Sequence, residues 1–468
     1  MTAACEMIFS MEYKDFLDSK RAKARPTGFT VDAGSMNPML FDFQRDISRW
    51  ALRRGKAAVF ADCGMGKTPI SLEWANQITR AGYGKVLILA PLTVSLQTKR
   101  EGDKFGIPVT VCRSQSDVCS SISISNYEML EHFNPGAFGA IVIDESSMLK
   151  GDGPLRKAVS EFSESIPFRL ACTATPAPND HMELGNHAEF LGVMSKSEML
   201  SMFFVHDGGE TSKWRLKGHA QKPFWEWVAS WAVMLRKPSD LGYEDRGFTL
   251  PPIEYHQHTV AAEWTSDYLF PVEANTLNER RGARRDSMKE RVRICAELVN
   301  ASTDPWVVWC DLNVESAALS AAIPDAIEVT GSDSVAVKES AAMRFVSGEC
   351  RVIVTKPSIF GWGSNWQHCR NEAFVGLSDS WEQVYQATRR CWRFGQKHDV
   401  HIHFITGELE GAVVRNIERK EKQAAEMAEG MLHHMRAINE AEIHGAVRES
   451  LAYEPGVQME VPDWIEGE

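Results

Sequence analysis

The sequence predicts an α/β protein made of two tandem parallel-sheet lobes with a helical insert between them. Two observations carry this: short, fully apolar strand candidates alternate with helix-length segments in two separate blocks, and a tryptophan-rich stretch interrupts the alternation. In the first block the strands are Ala57–Phe60, Lys85–Ala90, Ala140–Ile143 and Arg169–Cys172. Each is apolar enough to be buried on both faces, as a parallel sheet flanked by helices requires. From 194 to 250 the rhythm breaks, and Phe224, Trp225, Trp227, Trp231, Met234 and Leu235 follow helical spacing, which predicts the insert. The second block has strands Trp306–Trp309, Arg351–Val354, Glu372–Val375 and Val400–Phe404, then a helix rich in Glu, Lys, Ala and Met over Val413–Arg436. The expected division is an N-terminal arm over 1–38, a first lobe over 39–193, the insert over 194–250, a second lobe over 251–437 and an acidic tail over 438–468 that frays.

Length and composition agree with this plan. The 468 residues suffice for two or three domains, and 44% hydrophobic with 24% charged residues is a globular balance. The net charge is −12, of which the tail from Ile438 carries −7 with eight acids and one base, so the body is only mildly acidic. This argues against coating of nucleic acid by bulk charge and leaves room for a local basic strip. The ten cysteines form no CxxC and no regular framework, which fits a reducing compartment. His368 and Cys369 are adjacent rather than ligand-spaced, and His256/His258 and His401/His403 sit in alternating strand-like stretches, so surface histidines are the favoured reading over a metal site. With no leader pattern and no run of 18 apolar residues, the expected location is cytoplasmic, with no membrane partner.

Four segments carry chemistry. Ala61-Asp62-Cys63-Gly64-Met65-Gly66-Lys67-Thr68 follows an apolar strand and precedes a helix, the setting of a phosphate-binding loop. There Gly64, Met65 and Gly66 would wrap phosphate with backbone N–H groups, Lys67 would reach the β/γ-phosphates, and Thr68 would offer its hydroxyl to Mg²⁺. The strict pattern has glycine where Ala61 stands. Asp144-Glu145 ends a buried strand, placing a metal-holding acid beside one that can activate water. Thr173-Ala174-Thr175-Pro176 ends the next strand, with two hydroxyls that can bond those acids. Far downstream, Arg390 and Arg393 in Gln386–Gln396 are one helical turn apart and can clamp a γ-phosphate across a cleft.

Taken together these residues resemble superfamily 2 helicases and, within them, the Swi/Snf-type ATPases that move on double-stranded DNA; the resemblance spans roughly 39–404. It implies two RecA-like lobes with ATP and Mg²⁺ between them, and it implies that Gln44 reads adenine. By the same resemblance, Ala90–Val94 and Ser125-Asn126-Tyr127 touch nucleic-acid backbone, and Thr355 with Gly361–Asn365 forms the fifth motif, in which Gly363 contacts the nucleotide. Departures are Ser146-Ser147 after the acids, Trp362 where a smaller residue is common, Trp392 for a frequent histidine and Arg389 for a frequent acid. The compact chain resembles phage- or prophage-encoded members of the DEAD/DEAH-box-like helicases.

The implied site has Lys67, Glu145, Arg390 and Arg393 as catalytic residues and Thr68 with Asp144 as metal ligands. The expected partner is duplex DNA, with single-stranded DNA or RNA as alternatives and protein partners unassigned. A basic helix with Arg280, Arg281, Arg284, Arg285, Lys289, Arg291 and Arg293 is the candidate phosphate strip, against an ordinary solvated face. Trp225, Trp227 and Trp231 suit the insert's core better than base stacking. The competing readings are a packaging motor, an RNA-remodelling helicase, and a non-catalytic DNA-binding protein with a vestigial ATP site.

Overall fold

The structure, a computed structural model, describes residues 24–91, 94–149, 151, 153–178, 180–206, 214–261, 287–361, 365–377 and 380–444. Its two large sheets are parallel throughout. The first contains β1 (Lys56–Ala61), β2 (Lys85–Ala90), β3 (Thr110–Val111), β4 (Ile122–Asn126), β5 (Phe138–Asp144), β6 (Phe168–Thr173) and β9 (Ala232–Leu235), in the order β3-β4-β2-β5-β6-β1-β9. A small antiparallel hairpin, β7 (Phe204–His206) with β8 (Trp214–Leu216), stands apart. The second sheet contains β10 (Ile253–Val260), β11 (Trp306–Cys310), β12 (Ala326–Glu328), β13 (Val352–Thr355), β14 (Asn371–Val375) and β15 (Val400–Gly407), in the order β10-β15-β14-β11-β13-β12. These are two α/β lobes, each built on a parallel sheet.

Parallel strands need crossover connections, and these crossovers lay helices over the sheet faces. In the first lobe the helices are α1 (Asp42–Arg54), α2 (Lys67–Arg80), α3 (Ser95–Phe105), α4 (Pro154–Ser163), α5 (Leu184–Leu191), α6 (Lys196–Phe203) and α7 (Gln221–Ala229). In the second they are α8 (Met288–Asn300), α9 (Asn313–Ala322), α10 (Val335–Val346), α11 (Pro357–Phe360) and α12 (Trp381–Thr388), followed by the long α13 (Gly411–Ile443). Each sheet has an apolar core on both faces: alternate residues of β1, Ala58 and Phe60 against Val59 and Ala61, enter opposite cores. All eight strands expected from the sequence are present.

The segment 194–250 differs from the expected helical insert. Helix α7 stops at Ala229, and Ala232–Leu235 becomes the edge strand β9, parallel to β1. Its tryptophans are core: Trp227 and Trp231 are buried within the first lobe's own apolar cluster. The tail also differs from expectation. Its first six residues extend α13 and dock on the first lobe, where Asn439 accepts from Met234 N (3.2 Å) and donates to Ala232 O (3.0 Å), and Glu442 pairs with Arg54 at 2.6 Å. Residues 445–468 lie outside the described ones.

With 33 residues, α13 spans about 50 Å. Val413 and Ile417 pack in the second lobe's core, whereas Met431 and Met435 pack in the first lobe's, so one helix straps the two lobes together. Among the described residues no helix is long and apolar enough to cross a membrane.

Candidate functional site

The loop between β1 and α2 crosses the carboxyl ends of the first sheet, where open parallel sheets leave a crevice. Gly64 and Gly66 take positive φ, +87° and +85°. A Cβ on Gly66 would fall 2.2 Å from Gln44 Nε2, and one on Gly64 would fall 2.9 Å from the Phe394 backbone nitrogen of the second lobe. Both glycines therefore admit close neighbours that any other residue would push away. Gln44 is held on the loop: its Nε2 donates to Met65 O at 3.1 Å and its Oε1 accepts from Phe41 N at 3.2 Å.

Lys67 donates to Ala61 O at 3.0 Å. Burial pushes its ammonium down, but Cys63, Glu145, Asp144 and Asp62 outweigh that and leave its pKa raised. Lys67 is therefore a half-buried cation at neutral pH. Asp144 shows the opposite pressure. Burial first, and the neighbouring Glu145 second, push it up to about 7, against the pull of Lys67, the Glu145 backbone N–H and Arg390. Added cationic charge beside Asp144 would restore its ionised form. Tyr127, which is buried, pins the strand end by donating to Asp144 O at 2.6 Å.

Glu145 combines strain with an unmet acceptor. Its φ of 56° is in the left-handed region, which costs a non-glycine residue roughly 1–2 kcal/mol. Its Oε2 is buried without a hydrogen-bond partner among the described residues. Thr173 does not bond the acids as expected: its Oγ1 accepts from Thr175 N at 3.2 Å, and Thr175 Oγ1 is buried without a hydrogen-bond partner.

From the second lobe, α12 delivers Gln386–Gln396. The helix ends at Thr388, so Arg390 and Arg393 sit on the tight turns that follow rather than on a helical face. Arg390 Nε donates to Gln386 O at 2.8 Å. Arg393 is lowered to about 10, by burial and then by the charge of Arg390. Gln44, Gly64, Gly66, Lys67, Thr68, Asp144, Glu145, Arg390 and Arg393 all line one cleft of about 410 Å³ between the lobes, within the size range of small-ligand sites. Met65 is buried beneath the loop and contributes its carbonyl to Gln44. Gly363 lies outside the described residues; its neighbours Asn365 and Gln367 line the cleft, with buried side-chain oxygens lacking hydrogen-bond partners among the described residues.

Two further features were not anticipated from the sequence. Asp62, inside the loop, accepts from Tyr385 Oη at 2.7 Å and from Arg389 Nη2 at 3.3 Å, both in the second lobe. Arg389 lies over the rings of Tyr385 (4.8 Å) and Trp392 (4.2 Å). The departure of Arg389 from a frequent acid was the available signal: a cation there calls for an anion opposite. Second, Phe41, Phe248 and Phe394 pack edge to face and tilted near Gln44, at centroid distances of 4.7–6.0 Å, giving the cleft an aromatic end built by both lobes.

The basic strip fares differently. Arg280, Arg281, Arg284 and Arg285 lie outside the described residues. Arg291 is fully buried and pairs with Glu315 at 2.7 Å, with Glu410 at 3.8 Å, so it cannot meet a phosphate backbone. Arg293 pairs with Glu290 and Glu297 on an exposed face, the ordinary solvated arrangement.

The residues fit ATP with Mg²⁺: cations from both lobes, two adjacent acids and an unmet carboxylate oxygen meet at the loop that a Cβ would obstruct. No family model matches the chain, and no curated protein matches it. Among solved structures, the Sulfolobus solfataricus SWI2/SNF2 ATPase core in complex with dsDNA is similar at 16% identity over 89% of this chain and 99% of that one, with a TM-score of 0.41.

Proposed function

We propose that this chain is an ATP hydrolase that couples closure of its two lobes to movement along duplex DNA. The observation that carries the hydrolase reading is the shared cleft, with Lys67, Asp144 and Glu145 on the first lobe and Arg390 and Arg393 on the second. Lys67 and the loop N–H groups would bind phosphate, and Gln44 with the aromatic end would hold the base. Thr68 and Asp144 would hold Mg²⁺, which neutralises phosphate charge when bound. Glu145, strained and with a free acceptor, would orient water and take its proton. The two guanidiniums would stabilise charge developing on the transferred phosphoryl group.

Duplex DNA as the track rests on the resemblance of Thr173–Pro176 and Gln386–Gln396 to the Swi/Snf forms. The Asp62 clasp and the α13 strap give a route from cleft to lobe motion, because both span the lobes and one of them grows out of the phosphate loop. The test is the ATPase rate with no nucleic acid, duplex DNA, single-stranded DNA and RNA, for the wild type and Glu145→Gln. Strong stimulation by duplex DNA and near-total loss in the variant are expected. Equal stimulation by RNA would favour an RNA-remodelling enzyme, and an active variant would remove Glu145 from the chemistry.

A further inference from the structure

At the outer edge of the second sheet, β10 and β15 present five ligand-bearing side chains on one face. Strand alternation puts Glu254, His256 and His258 together on β10 and His401 and His403 on β15, and the register sets Glu254 opposite His401 and His256 opposite His403. The pairing brings separate surface histidines into a cluster that neither strand shows alone.

Three donor atoms form a compact triangle. His256 Nε2 lies 3.2 Å from His401 Nδ1, His401 Nδ1 lies 3.2 Å from Glu254 Oε2, and His256 Nε2 lies 3.8 Å from the same oxygen. Donors bound to one zinc ion at about 2.0–2.1 Å in a tetrahedron stand roughly 3.3–3.4 Å apart, so the triangle already has the size of one face. Side-chain exposures of 50% for Glu254, 38% for His256 and 29% for His401 leave room for an ion to enter and for a water as fourth ligand.

The neighbours hold this arrangement. His403 stacks on His256 at 4.5 Å between ring centroids and bonds His258, Nδ1 to Nε2, at 3.1 Å. Glu254 has no Lys or Arg within ion-pair distance among the described residues; the groups it faces are the two imidazoles. An exposed carboxylate within ion-pair distance of two imidazole nitrogens, and of no Lys or Arg among the described residues, is a donor set that suits a cation.

We propose that Glu254, His256 and His401 form a site for a divalent transition-metal ion of the zinc class, with His258 and His403 as its supporting pair. The two imidazole donors select zinc over magnesium or calcium, and a carboxylate is an ordinary third ligand to zinc. Bound there, the ion would cross-link the edge strand β10 to β15 just where the chain enters the second lobe.

The test uses the full-length chain without a histidine tag, stripped with chelator and titrated calorimetrically with ZnCl2, with CoCl2 absorption reporting geometry. The wild type should bind one zinc more than His256→Ala/His401→Ala and gain several degrees in Tm on zinc addition that the variant does not. Glu254→Gln, which removes a ligand, should weaken binding by at least the roughly 10- to 100-fold that loss of an outer-shell partner costs. His258→Ala/His403→Ala should keep the ion. Equal stoichiometry and equal Tm response in wild type and His256→Ala/His401→Ala, with circular dichroism showing both folded, would overturn the proposal. So would loss of the ion from His258→Ala/His403→Ala alone.

Discussion

The first lobe brings to the cleft a lysine, two adjacent acids and two left-handed glycines; the second, built on an equally parallel sheet, brings Arg390, Arg393 and Phe394 from the turns after α12. The same architecture thus carries a binding surface on one side and guanidinium groups on the other. Their pKa shifts carry the same contrast: Asp144 is pushed up by burial and by the neighbouring Glu145, while Arg393 is pushed down by burial and by its neighbouring cation. Each lobe holds a group that the other lobe's charges stabilise, as expected of a site that is finished only when the halves meet.

The largest effect should follow from removing the second lobe's contribution. Arg393→Ala is expected to lower ATP hydrolysis by about 10³-fold or more with nucleotide binding nearly unchanged, measured by single-turnover hydrolysis beside equilibrium binding. On the first lobe, Glu145→Gln should cost about 10²–10⁴-fold in hydrolysis and also retain ATP. Nucleotide binding lost together with hydrolysis in either variant would turn the residue from chemistry to binding.

The clasp tests whether the two halves communicate. Asp62→Ala strands a buried guanidinium on Arg389, a loss on the order of 3–5 kcal/mol seen as a lower denaturant midpoint. The exchanged pair Asp62→Arg/Arg389→Asp should regain part of it, and no regain would mean that the contact is packing rather than charge. A smaller effect belongs to Asp144. Its folded pKa of about 7 stands above the ordinary value of 3.8, so between those limits the folded state holds a proton that the unfolded chain has lost. Stability from this group is therefore full below about pH 4 and declines as pH rises to about 7, by at most about 1.4 kcal/mol per unit. The difference between wild-type and Asp144→Asn urea melts should show that slope in nucleotide-free protein; identical slopes would contradict it. Smallest, Gln44→Ala should reduce discrimination between ATP and GTP by roughly 3- to 10-fold, the worth of a hydrogen bond or so.

Much of this was legible in the residues. Buried strands such as Lys85–Ala90 announce themselves because both faces need apolar side chains, and the glycine loop is readable because phosphate chemistry demands a residue pattern at close spacing. The elements that escaped are those whose pattern is local but whose partner is distant. Ala232–Leu235 continues an apolar helix pattern, yet it extends because β1 offers an open edge. Asp62 gives no sign in the loop that Tyr385 and Arg389 will meet it more than three hundred residues later. Arg291 reads as one of a basic series until folding places Glu315 beside it.

The central claim is that both halves of one molecule complete each site, and mixing two inactive variants tests it directly. Glu145→Gln and Arg393→Ala proteins, combined in equal amounts with duplex DNA and ATP, should hydrolyse no faster than the sum of their separate rates. A mixed rate well above that sum would mean that the guanidinium reaches the acids from a neighbouring molecule, and would contradict the account.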